Sequence, residues 1–327
     1  MGSFGLIGYG KMGKIRAKTA IDLGANLISY YDPNEIINLD KKVKKVEDLI
    51  KDPSIDSVFI STPNFMNAEL TIKCLEAGKN VFCEKPPALN LSELNQVKKV
   101  HSNSEKALMY GFNHRYHESI IHMKNLIQGG EYGKLIWMRG RYGKSTDENF
   151  FDSWRAKKKF SGGGIVIDQG IHMLDLFLLF AGEFDSIHAS LSNRYWGLDI
   201  EDNAFITLVN KKSGISASLH STMTQWRHIF SLEVFLERGY MVLNGLKTSS
   251  GAYGDEVLTI AKNRSKPPSA SWEEDIVNSY PIDNSWKLEV EEFFKCSNSN
   301  QDPKMGNISD AINVMKLIDK IYCFDLN

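Results

Sequence analysis

The segment Asp168–His172 places a carboxylate and an imidazole four residues apart, just after three glycines at positions 162–164. If this segment begins a helix, the two side chains lie on one helical face. The carboxylate can then orient the ring and stabilise its protonated form, which makes His172 a general base suited to neutral pH. The glycines favour a close approach of the backbone to a ligand. The alternative is a histidine that serves only packing, with Asp175 as a pairing partner.

A second chemical motif is the pattern G-x-G-x-x-G in residues 8–13. Gly8 permits a tight turn, Gly10 lets the backbone approach a pyrophosphate, and Gly13 allows close packing of a helix on a strand. The N-terminus of the following helix offers unpaired N–H groups and the positive end of its dipole to phosphates. Asp32, at the end of the next strand, can bind a ribose hydroxyl and repels a 2′-phosphate, which favours NAD over NADP. The alternative is a plain turn that Asp32 caps.

Two further polar segments, Thr62-Pro63-Asn64 and Glu84-Lys85-Pro86-Pro87, each follow a predicted parallel strand. Both therefore lie at the carboxyl edge of the sheet, where a dinucleotide binds. A lysine at the end of a buried strand is costly unless a partner or ligand uses its charge. We predict that Lys85 hydrogen-bonds a reacting hydroxyl or assists a neighbouring base. The alternative is a surface pair of Lys85 with Glu84.

Other candidates carry a weaker signal. Asn113 and Arg115 follow the fifth predicted strand and are expected to line the nicotinamide end of a cofactor site. Trp154 and Arg155 offer a stacking face and a cation for a sugar. The run Lys157–Lys159 fits a phosphate only loosely, because such runs are usually solvated faces.

The elements that must position these residues follow from the hydrophobic pattern of the first third of the chain. Strands are predicted at Phe4–Ile7, Asn26–Tyr31, Ser57–Ser61, Asn80–Cys83 and Ala107–Tyr110. Helices are predicted between them at Lys11–Leu23, Val46–Lys51, Asn67–Ala77 and Ser92–His101. Continuous apolar strands that alternate with helices are typical of an α/β fold with a doubly wound parallel sheet.

Beyond about residue 116 the pattern changes. A helix is predicted at about Ile167–Ala181, and long β-branched and aromatic segments joined by hairpin-like turns predict a large, mainly antiparallel open sheet. Two helical stretches close the chain, and Lys266–Ser271 is predicted as a surface loop. We therefore predict a dinucleotide-binding domain at 1–115 and an α+β substrate domain at 116–327.

Composition excludes several classes of protein. Of 327 residues, 39 are Lys or Arg and 40 are Asp or Glu, and this balance argues against binding nucleic acid or anionic membrane by bulk charge. The four cysteines lie far apart and suit a reducing compartment, and no metal site is predicted. No signal peptide and no apolar run of the roughly 18–20 residues that a membrane span needs is visible. The expected location is the cytoplasm.

Taken in order, the segments Gly8–Gly13, Thr62–Asn64, Glu84–Pro86, Trp154-Arg155 and Gly163–His172 resemble one family. It is the glucose–fructose oxidoreductase, inositol dehydrogenase and rhizopine-catabolism (Gfo/Idh/MocA) oxidoreductase family. The resemblance is tight to about residue 182 and rests on the strand pattern beyond. It implies a Rossmann domain followed by a domain whose open sheet forms a homodimer or homotetramer interface. It also implies redox chemistry at a secondary alcohol of a sugar, cyclic polyol or derivative, with NAD(H) or NADP(H).

By that likeness, Lys85 assists proton transfer and polarises the reacting oxygen, His172 is the acid/base, and Asp168 is its partner. The implied cofactor contacts are Gly8, Gly10, Lys11, Met12, Gly13, Asp32, Thr62, Pro63, Asn64, Glu84, Lys85 and Asn113. The implied substrate contacts are Lys85, Arg115, Trp154, Arg155, Asp168 and His172. One departure is Asn67, where the family often has histidine.

Two alternative functions remain open at this point. One is a nucleotide-sugar dehydrogenase or ketoreductase of surface-polysaccharide synthesis, which Arg155 and Lys157–Lys159 fit loosely. The other is a regulator that binds a dinucleotide without catalysis. The joint presence of Lys85, Asp168 and His172 argues against a regulator, because a sensor needs no acid/base pair.

Overall fold

A computed structural model describes residues 2–34, 40–262 and 272–325. Its contacts divide the chain into two compact units, each of which is discontinuous in sequence. The first unit holds residues 1–113, 159–162 and 285–315, and the second holds 114–158, 163–284 and 316–327. The chain passes to the second unit after residue 113 and returns to the first unit twice, at 159–162 and at 285–315.

The first unit is built on a five-stranded parallel sheet. Its elements in chain order are β1 (Ser3–Ile7), α1 (Lys11–Asp22), β2 (Asn26–Tyr31), α2 (Val46–Lys51), β3 (Ser57–Ile60), α3 (Asn64–Glu76), β4 (Asn80–Cys83), α4 (Leu91–His101) and β5 (Leu108–Tyr110). The strand order is β2-β1-β3-β4-β5, and all neighbours are parallel. The order reverses beside β1, so the turn after β1 lies where doubly wound sheets bind ligands. The predicted doubly wound α/β fold is confirmed.

The core of the first unit explains why residues 285–315 belong to it. The Phe59 ring of β3 packs against Phe4 and Phe82, with ring centroids 5.4 and 5.2 Å away. Phe293, on the helix α8 (Ser285–Ser299), lies 5.2 Å from Phe59 and 5.5 Å from Phe82. Because a parallel sheet needs cover on both faces, the apolar side of α8 completes this core.

The second unit carries an eight-stranded sheet. Its strands are β6 (Leu135–Gly143), β7 (Ser186–Ser192), β8 (Asn203–Val209), β9 (Ser216–Thr222), β10 (Ile229–Leu236), β11 (Gly239–Asn244), β12 (Glu256–Lys262) and β13 (Ile276–Tyr280). The order is β13-β12-β11-β10-β6-β9-β8-β7, and β6–β9 is the one parallel pair among the described strands. The predicted mainly antiparallel sheet is confirmed. The sequence pattern did not indicate β13, and Lys266–Ser271 lies outside the described residues.

The remaining helices are α5 (Glu118–Gly129), α6 (Lys158–Ser161), α7 (Ile171–Ala181) and α9 (Ile308–Asp325). Helix α7 packs on the sheet at Gly140, where an added Cβ would lie only 2.5 Å from Met173 and 3.0 Å from Phe177. Among the described residues, the helical stretch 158–181 is long and apolar enough to span a membrane, but 67% of its most apolar window is buried in the protein. A core helix passes the same test, so this stretch is weak evidence for a membrane span.

Candidate active site

The glycine turn after β1 is shaped by the protein's own packing at two of its three glycines. Gly8 has a φ of +90°, and a Cβ there would lie 2.4 Å from the carbonyl oxygen of Ser61. A Cβ on Gly13 would lie 1.9 Å from the carbonyl oxygen of Gly8. The first glycine is therefore needed for the turn and the third for packing, as predicted.

The second glycine of the turn faces open space. No atom lies within 4 Å of a Cβ built on Gly10, which is also the N-cap of α1 and provides no side-chain cap. The backbone N–H groups of Lys11 and Met12 therefore begin a helix whose N-terminus has no side-chain acceptor at its cap. Such a terminus binds diphosphates through its N–H groups and its dipole. The turn thus fits the pyrophosphate of a dinucleotide.

The carboxylate of Asp32 lies against this turn. Its Oδ2 accepts a hydrogen bond from the backbone N–H of Tyr9 at 2.6 Å, and its Oδ1 accepts one from that of Asn34 at 2.8 Å. Asp32 therefore caps its own turn, as the alternative interpretation held, and also contacts the glycine turn through Tyr9. Each carboxylate oxygen has a further lone pair for a ribose hydroxyl.

Two alanine substitutions in the glycine turn test its role in folding and its role in cofactor binding separately. Gly13→Ala should lower the free energy of unfolding by about 3 kcal/mol, because its Cβ overlaps the backbone of Gly8. Gly10→Ala should change that free energy by less than about 1 kcal/mol. It should, however, weaken NADH binding by about tenfold or more, because its Cβ enters the space that a pyrophosphate approaches.

Urea denaturation and a fluorescence titration with NADH measure the two effects on the same variants. Unchanged NADH affinity in Gly10→Ala would place the diphosphate elsewhere.

The segments after β3 and β4 are joined by the side chain of Asn67. This fully buried amide accepts a hydrogen bond from Thr62 Oγ1 at 2.9 Å and donates to the carbonyl oxygens of Glu84 and Pro86 at 3.3 and 2.8 Å. Because Lys85 lies between those two carbonyls, Asn67 fixes the backbone that carries it. Helix α3 begins at Asn64, three residues earlier than predicted. The departure from the family pattern at position 67 therefore has a structural role in this chain.

Several predicted cofactor contacts are already bonded within the first unit. The Glu84 carboxylate accepts a 2.6 Å hydrogen bond from Nε of the fully buried Arg16, whose Nη1 donates to Glu289 at 2.5 Å. The side-chain amides of Asn64 and Asn113 donate to the Ser161 carbonyl oxygen and to Ser285 Oγ. A buried guanidinium needs such partners. Glu84 thus anchors Arg16, a residue that the sequence did not single out because a basic residue on a surface helix is usually solvated.

Asp168 lies in a π-helical turn, Val166–Gly170, that leads into α7. The prediction of a regular helix from about Ile167 was therefore wrong over these residues. A π-helical turn inserts one extra residue into the helix and frequently occurs at functional sites. It changes the direction in which Asp168 projects relative to His172, so spacing alone does not fix their geometry.

The glycine run before this turn packs against protein. A Cβ on Gly163 would lie 2.1 Å from the Tyr322 hydroxyl, and one on Gly164 would lie 2.0 Å from the carbonyl oxygen of Glu201. The Glu201 carboxylate accepts hydrogen bonds from the N–H groups of Gly164 and Val166 and from Tyr322. Burial raises the pKa of Glu201, although these hydrogen bonds oppose the rise. The expected approach of the two glycines to a ligand is thus replaced by contacts with Glu201 and Tyr322.

Asp168 has two cationic neighbours. Its Oδ2 accepts a hydrogen bond from Lys144 Nζ at 2.5 Å, and its Oδ1 lies 3.9 Å from Arg155 Nε. Lys144 directly follows β6, is only 9% exposed, and lies 4.7 Å from the centre of the Phe150 ring. Arg155 stacks at 4.3 Å on the ring of its neighbour Trp154. The structure therefore brings together three predicted substrate contacts and adds Lys144.

Sequence reasoning missed Lys144, although a signal for it exists. It is a lysine at the end of a strand, which is the same argument that singled out Lys85. Its ammonium group forms an ion pair with the half-buried carboxylate of Asp168.

His172, on α7, is 5% exposed and stacks on the ring of His114, with centroids 3.8 Å apart and ring planes at 16°. Nearby, Arg115 donates to Asp175 through Nε at 2.7 Å and Nη2 at 2.6 Å, and both side chains are buried. Arg115 was expected to contact substrate, but its guanidinium is paired with Asp175. Asp175 thus acts as a pairing partner, as the alternative interpretation of this segment held. That Asp168 orients His172 stays a prediction.

Lys85 is half-buried in the first unit, after β4. Within the described residues, no group of three or more His, Cys, Asp or Glu side chains could hold a metal ion. Ammonium, imidazole and carboxylate groups such as those of Lys85, His172 and Asp168 can supply proton transfer and hydrogen bonding.

Two family models match the chain. Residues 3–112 match the oxidoreductase family GFO/IDH/MocA with its NAD-binding Rossmann fold, and residues 120–242 match the GFO/IDH/MocA C-terminal domain. Together they span residues 3–242 apart from 113–119.

Individual relatives agree with these models. Levoglucosan dehydrogenase of Pseudarthrobacter phenanthrenivorans is 35% identical over 146 residues, which are 44% of this chain and 37% of that protein. Myo-inositol 2-dehydrogenase of Thermotoga maritima is 25% identical over 267 residues, 77% of this chain and 78% of that one. A solved structure of levoglucosan dehydrogenase in complex with NADH and L-sorbose covers 100% of this chain and 97% of its own, with a TM-score of 0.87 and 21% identity. This last likeness shows the fold.

Proposed function

Because the chain belongs to the GFO/IDH/MocA oxidoreductase family, we propose that it is an NAD-dependent dehydrogenase or reductase of a sugar, cyclic polyol or sugar derivative. Hydride passes between a secondary alcohol or ketone and the cofactor. The observation that carries the proposal is the open space at Gly10, at the start of α1. The family and NAD-binding Rossmann domain expected from the sequence are confirmed by the family models.

Each half of the chain contributes chemistry to this proposal. Bound NAD supplies the hydride acceptor or donor at its nicotinamide ring. Lys85 donates a hydrogen bond to the reacting oxygen, and His172 takes up or returns the hydroxyl proton. The Asp168 carboxylate, paired with Lys144 at 2.5 Å, accepts a hydrogen bond from a substrate hydroxyl. Trp154 offers an apolar face for a sugar ring.

The two alternative functions are not favoured. The relatives named above are dehydrogenases named for levoglucosan and for myo-inositol, neither of which is nucleotide-linked. A regulator without catalysis has no use for an acid/base group such as His172.

A substrate panel tests the proposal directly. The purified protein is mixed with NAD+ and, in separate reactions, levoglucosan, myo-inositol or glucose, and NADH formation is followed by absorbance. We expect turnover with at least one of them and a preference for NAD+ over NADP+. Tight NADH binding without redox change for any member of a wide panel of sugars and cyclitols would instead support a regulator.

The cofactor preference has its own prediction. Asp32→Asn keeps a side-chain oxygen for the Tyr9 N–H but removes the charge that repels a 2′-phosphate. We expect kcat/KM with NADP+ to rise by about tenfold, or 1.4 kcal/mol, relative to that with NAD+. Steady-state kinetics with both cofactors measure the ratio. An unchanged ratio would mean that Asp32 only caps the turn.

We also propose that the chain forms a homodimer or homotetramer through its large sheet. The sheet face opposite α7 carries the stacked rings of Trp137, Phe235 and Tyr240, with centroids 4.2 and 5.1 Å apart. On the same face Phe205, 55% exposed, stacks on His220 at 4.1 Å. Exposed aromatic rings on an open sheet face are typical of a protein interface. Sedimentation equilibrium, with Phe205→Glu as the disrupting variant, tests it.

The proposed location is the cytoplasm. No disulfide occurs among the described cysteines, three of which are buried. Unbridged cysteines are usual in a reducing compartment.

A further inference from the structure

We infer that His114 is the positioning residue of the acid/base group: it holds the ring of His172 by stacking and is itself held in one tautomer by a directed chain of hydrogen bonds. This inference rests on the proposed function, in which His172 moves the substrate proton. His114 has no metal-ligand spacing, and the motifs that identify the family do not include it.

The stacked pair joins two elements that are far apart in sequence. His114 lies in a short 3-10 helix, Asn113–Tyr116, and His172 lies in the first turn of α7. Both rings are 5% exposed, and their planes are 16° from parallel at a centroid distance of 3.8 Å. A flat contact at this distance prevents either ring from rotating about its Cβ–Cγ bond without losing the stack. The plane of the His172 ring, and with it the direction of the nitrogen lone pair that receives a proton, is therefore fixed before substrate binds.

A chain of hydrogen bonds leads from His114 back to the turn that carries Asp168. His114 Nε2 lies 2.9 Å from the Tyr142 hydroxyl, and the Tyr253 hydroxyl donates to Gln169 Oε1 at 3.0 Å. Burial raises the pKa of both phenols, and the hydrogen bond between them raises that of Tyr142 and lowers that of Tyr253.

The direction of the whole chain follows from its last member. An amide oxygen only accepts hydrogen bonds, so Tyr253 must donate its single proton to Gln169. Tyr142 then donates to Tyr253 and has only lone pairs left for His114. The proton of a neutral His114 is therefore on Nε2, and its Nδ1 is unprotonated.

The charged groups around the stacked rings are already paired with one another. They are Glu256 with His117, whose ring centroid is 5.7 Å from that of His114; Asp168 with Lys144; and Asp175 with Arg115. Tyr142 and Tyr253 stay uncharged because burial raises their pKa values.

Two variants of His114 distinguish the effect of ring stacking on turnover from the effect of the hydrogen bond to Tyr142. His114→Phe keeps a flat ring against His172 and removes the donor to Tyr142. His114→Gln keeps an N–H donor near the Nε2 position and removes the ring. With NAD+ and the best substrate of the panel, we expect His114→Gln to lower kcat by about tenfold through lost orientation, with KM within about twofold. We expect His114→Phe to recover most of that loss, which a residue needed only for the hydrogen-bonded chain would not do.

The pH profile and the tautomer are independent readouts. In wild-type protein kcat/KM should fall at acid pH, and in His114→Gln this acid limb should shift along the pH axis because the ring stacked on His172 is lost. In 15N-histidine-labelled wild-type protein with bound NADH, the His114 resonance, assigned through its contacts with Tyr142, should show the Nε2–H form at pH 7.5. An Nδ1–H or doubly protonated ring would overturn the inference, and this spectrum does not require that any variant folds.

The outcomes distinguish the inference from the function on which it rests. If His172→Asn keeps full turnover, the proposed acid/base role fails. If His172→Asn loses turnover while His114→Gln keeps the wild-type kcat and acid limb, the inference fails and the proposed function stands. NADH affinity, measured by fluorescence, should stay at the wild-type value in both His114 variants, since neither touches the glycine turn.

Discussion

Replacing Lys85 by methionine should lower kcat by about a hundredfold or more while NADH still binds, as expected for a group that assists proton transfer. Methionine keeps the length of the side chain and removes the ammonium group that polarises the reacting oxygen. The backbone around Lys85 is held by Asn67 through the carbonyls of Glu84 and Pro86, so the substitution should leave the segment in place. Steady-state turnover with the best substrate of the panel, together with NADH fluorescence, measures both effects.

Lys98→Met on the exposed side of α4 is the matched control, because the same substitution there removes a solvated charge. It should leave kcat unchanged. Near-wild-type turnover in Lys85→Met would show that its ammonium group takes no part in the reaction.

Replacing His172 by asparagine should lower kcat by two orders of magnitude or more, roughly the scale of a lost general base. In the direction of alcohol oxidation the base must be unprotonated, so wild-type kcat/KM should rise with pH and then level off. In His172→Asn the residual rate should lose this acid limb. The measurement is kcat/KM against pH with NAD+ in excess, at constant ionic strength.

His188→Asn is the control for this change, since His188 is an exposed residue on β7. It should keep both the rate and the acid limb. A limb that persists in His172→Asn would identify a different base. The double variant Lys85→Met with His172→Asn adds a second check: if both residues serve one proton transfer, its loss should be much smaller than the product of the two single losses.

The architecture of the first unit could be predicted from the local pattern of apolar and polar residues. The strands β2 and β4 and the helix α2 have the predicted bounds, and β1, β3 and β5 differ from the predictions by one residue each. Buried parallel strands are continuous apolar runs, which makes them easy to recognise. Two of the connecting helices are followed by glycines, at positions 24 and 78, that have positive φ angles. The position of α8 could not be predicted in this way, because its own sequence does not indicate which of the two sheets its aromatic side covers.

The second unit was predictable in kind rather than in detail. Alternating strands with hairpin turns predicted the antiparallel sheet, but the exposed edge strand β13 has a mixed polar sequence and gave no signal. The π-helical turn at Val166–Gly170 also escaped prediction. The backbone at its start is held by Glu201, which lies 37 residues from Gly164 and 35 from Val166 and also accepts a hydrogen bond from Tyr322.

By itself, the sequence determined the α/β class, the dinucleotide turn and the identity of the groups able to transfer a proton. Those properties depend on residue type and short spacing, which are local. Only the tertiary structure decided that Lys144 neutralises Asp168, that Asp175 engages Arg115, and that His114 stacks on His172. These pairs are 24 to 60 residues apart in the chain. A single sequence carries no measure of such distances, because they are set by how strands and helices pack around a shared core.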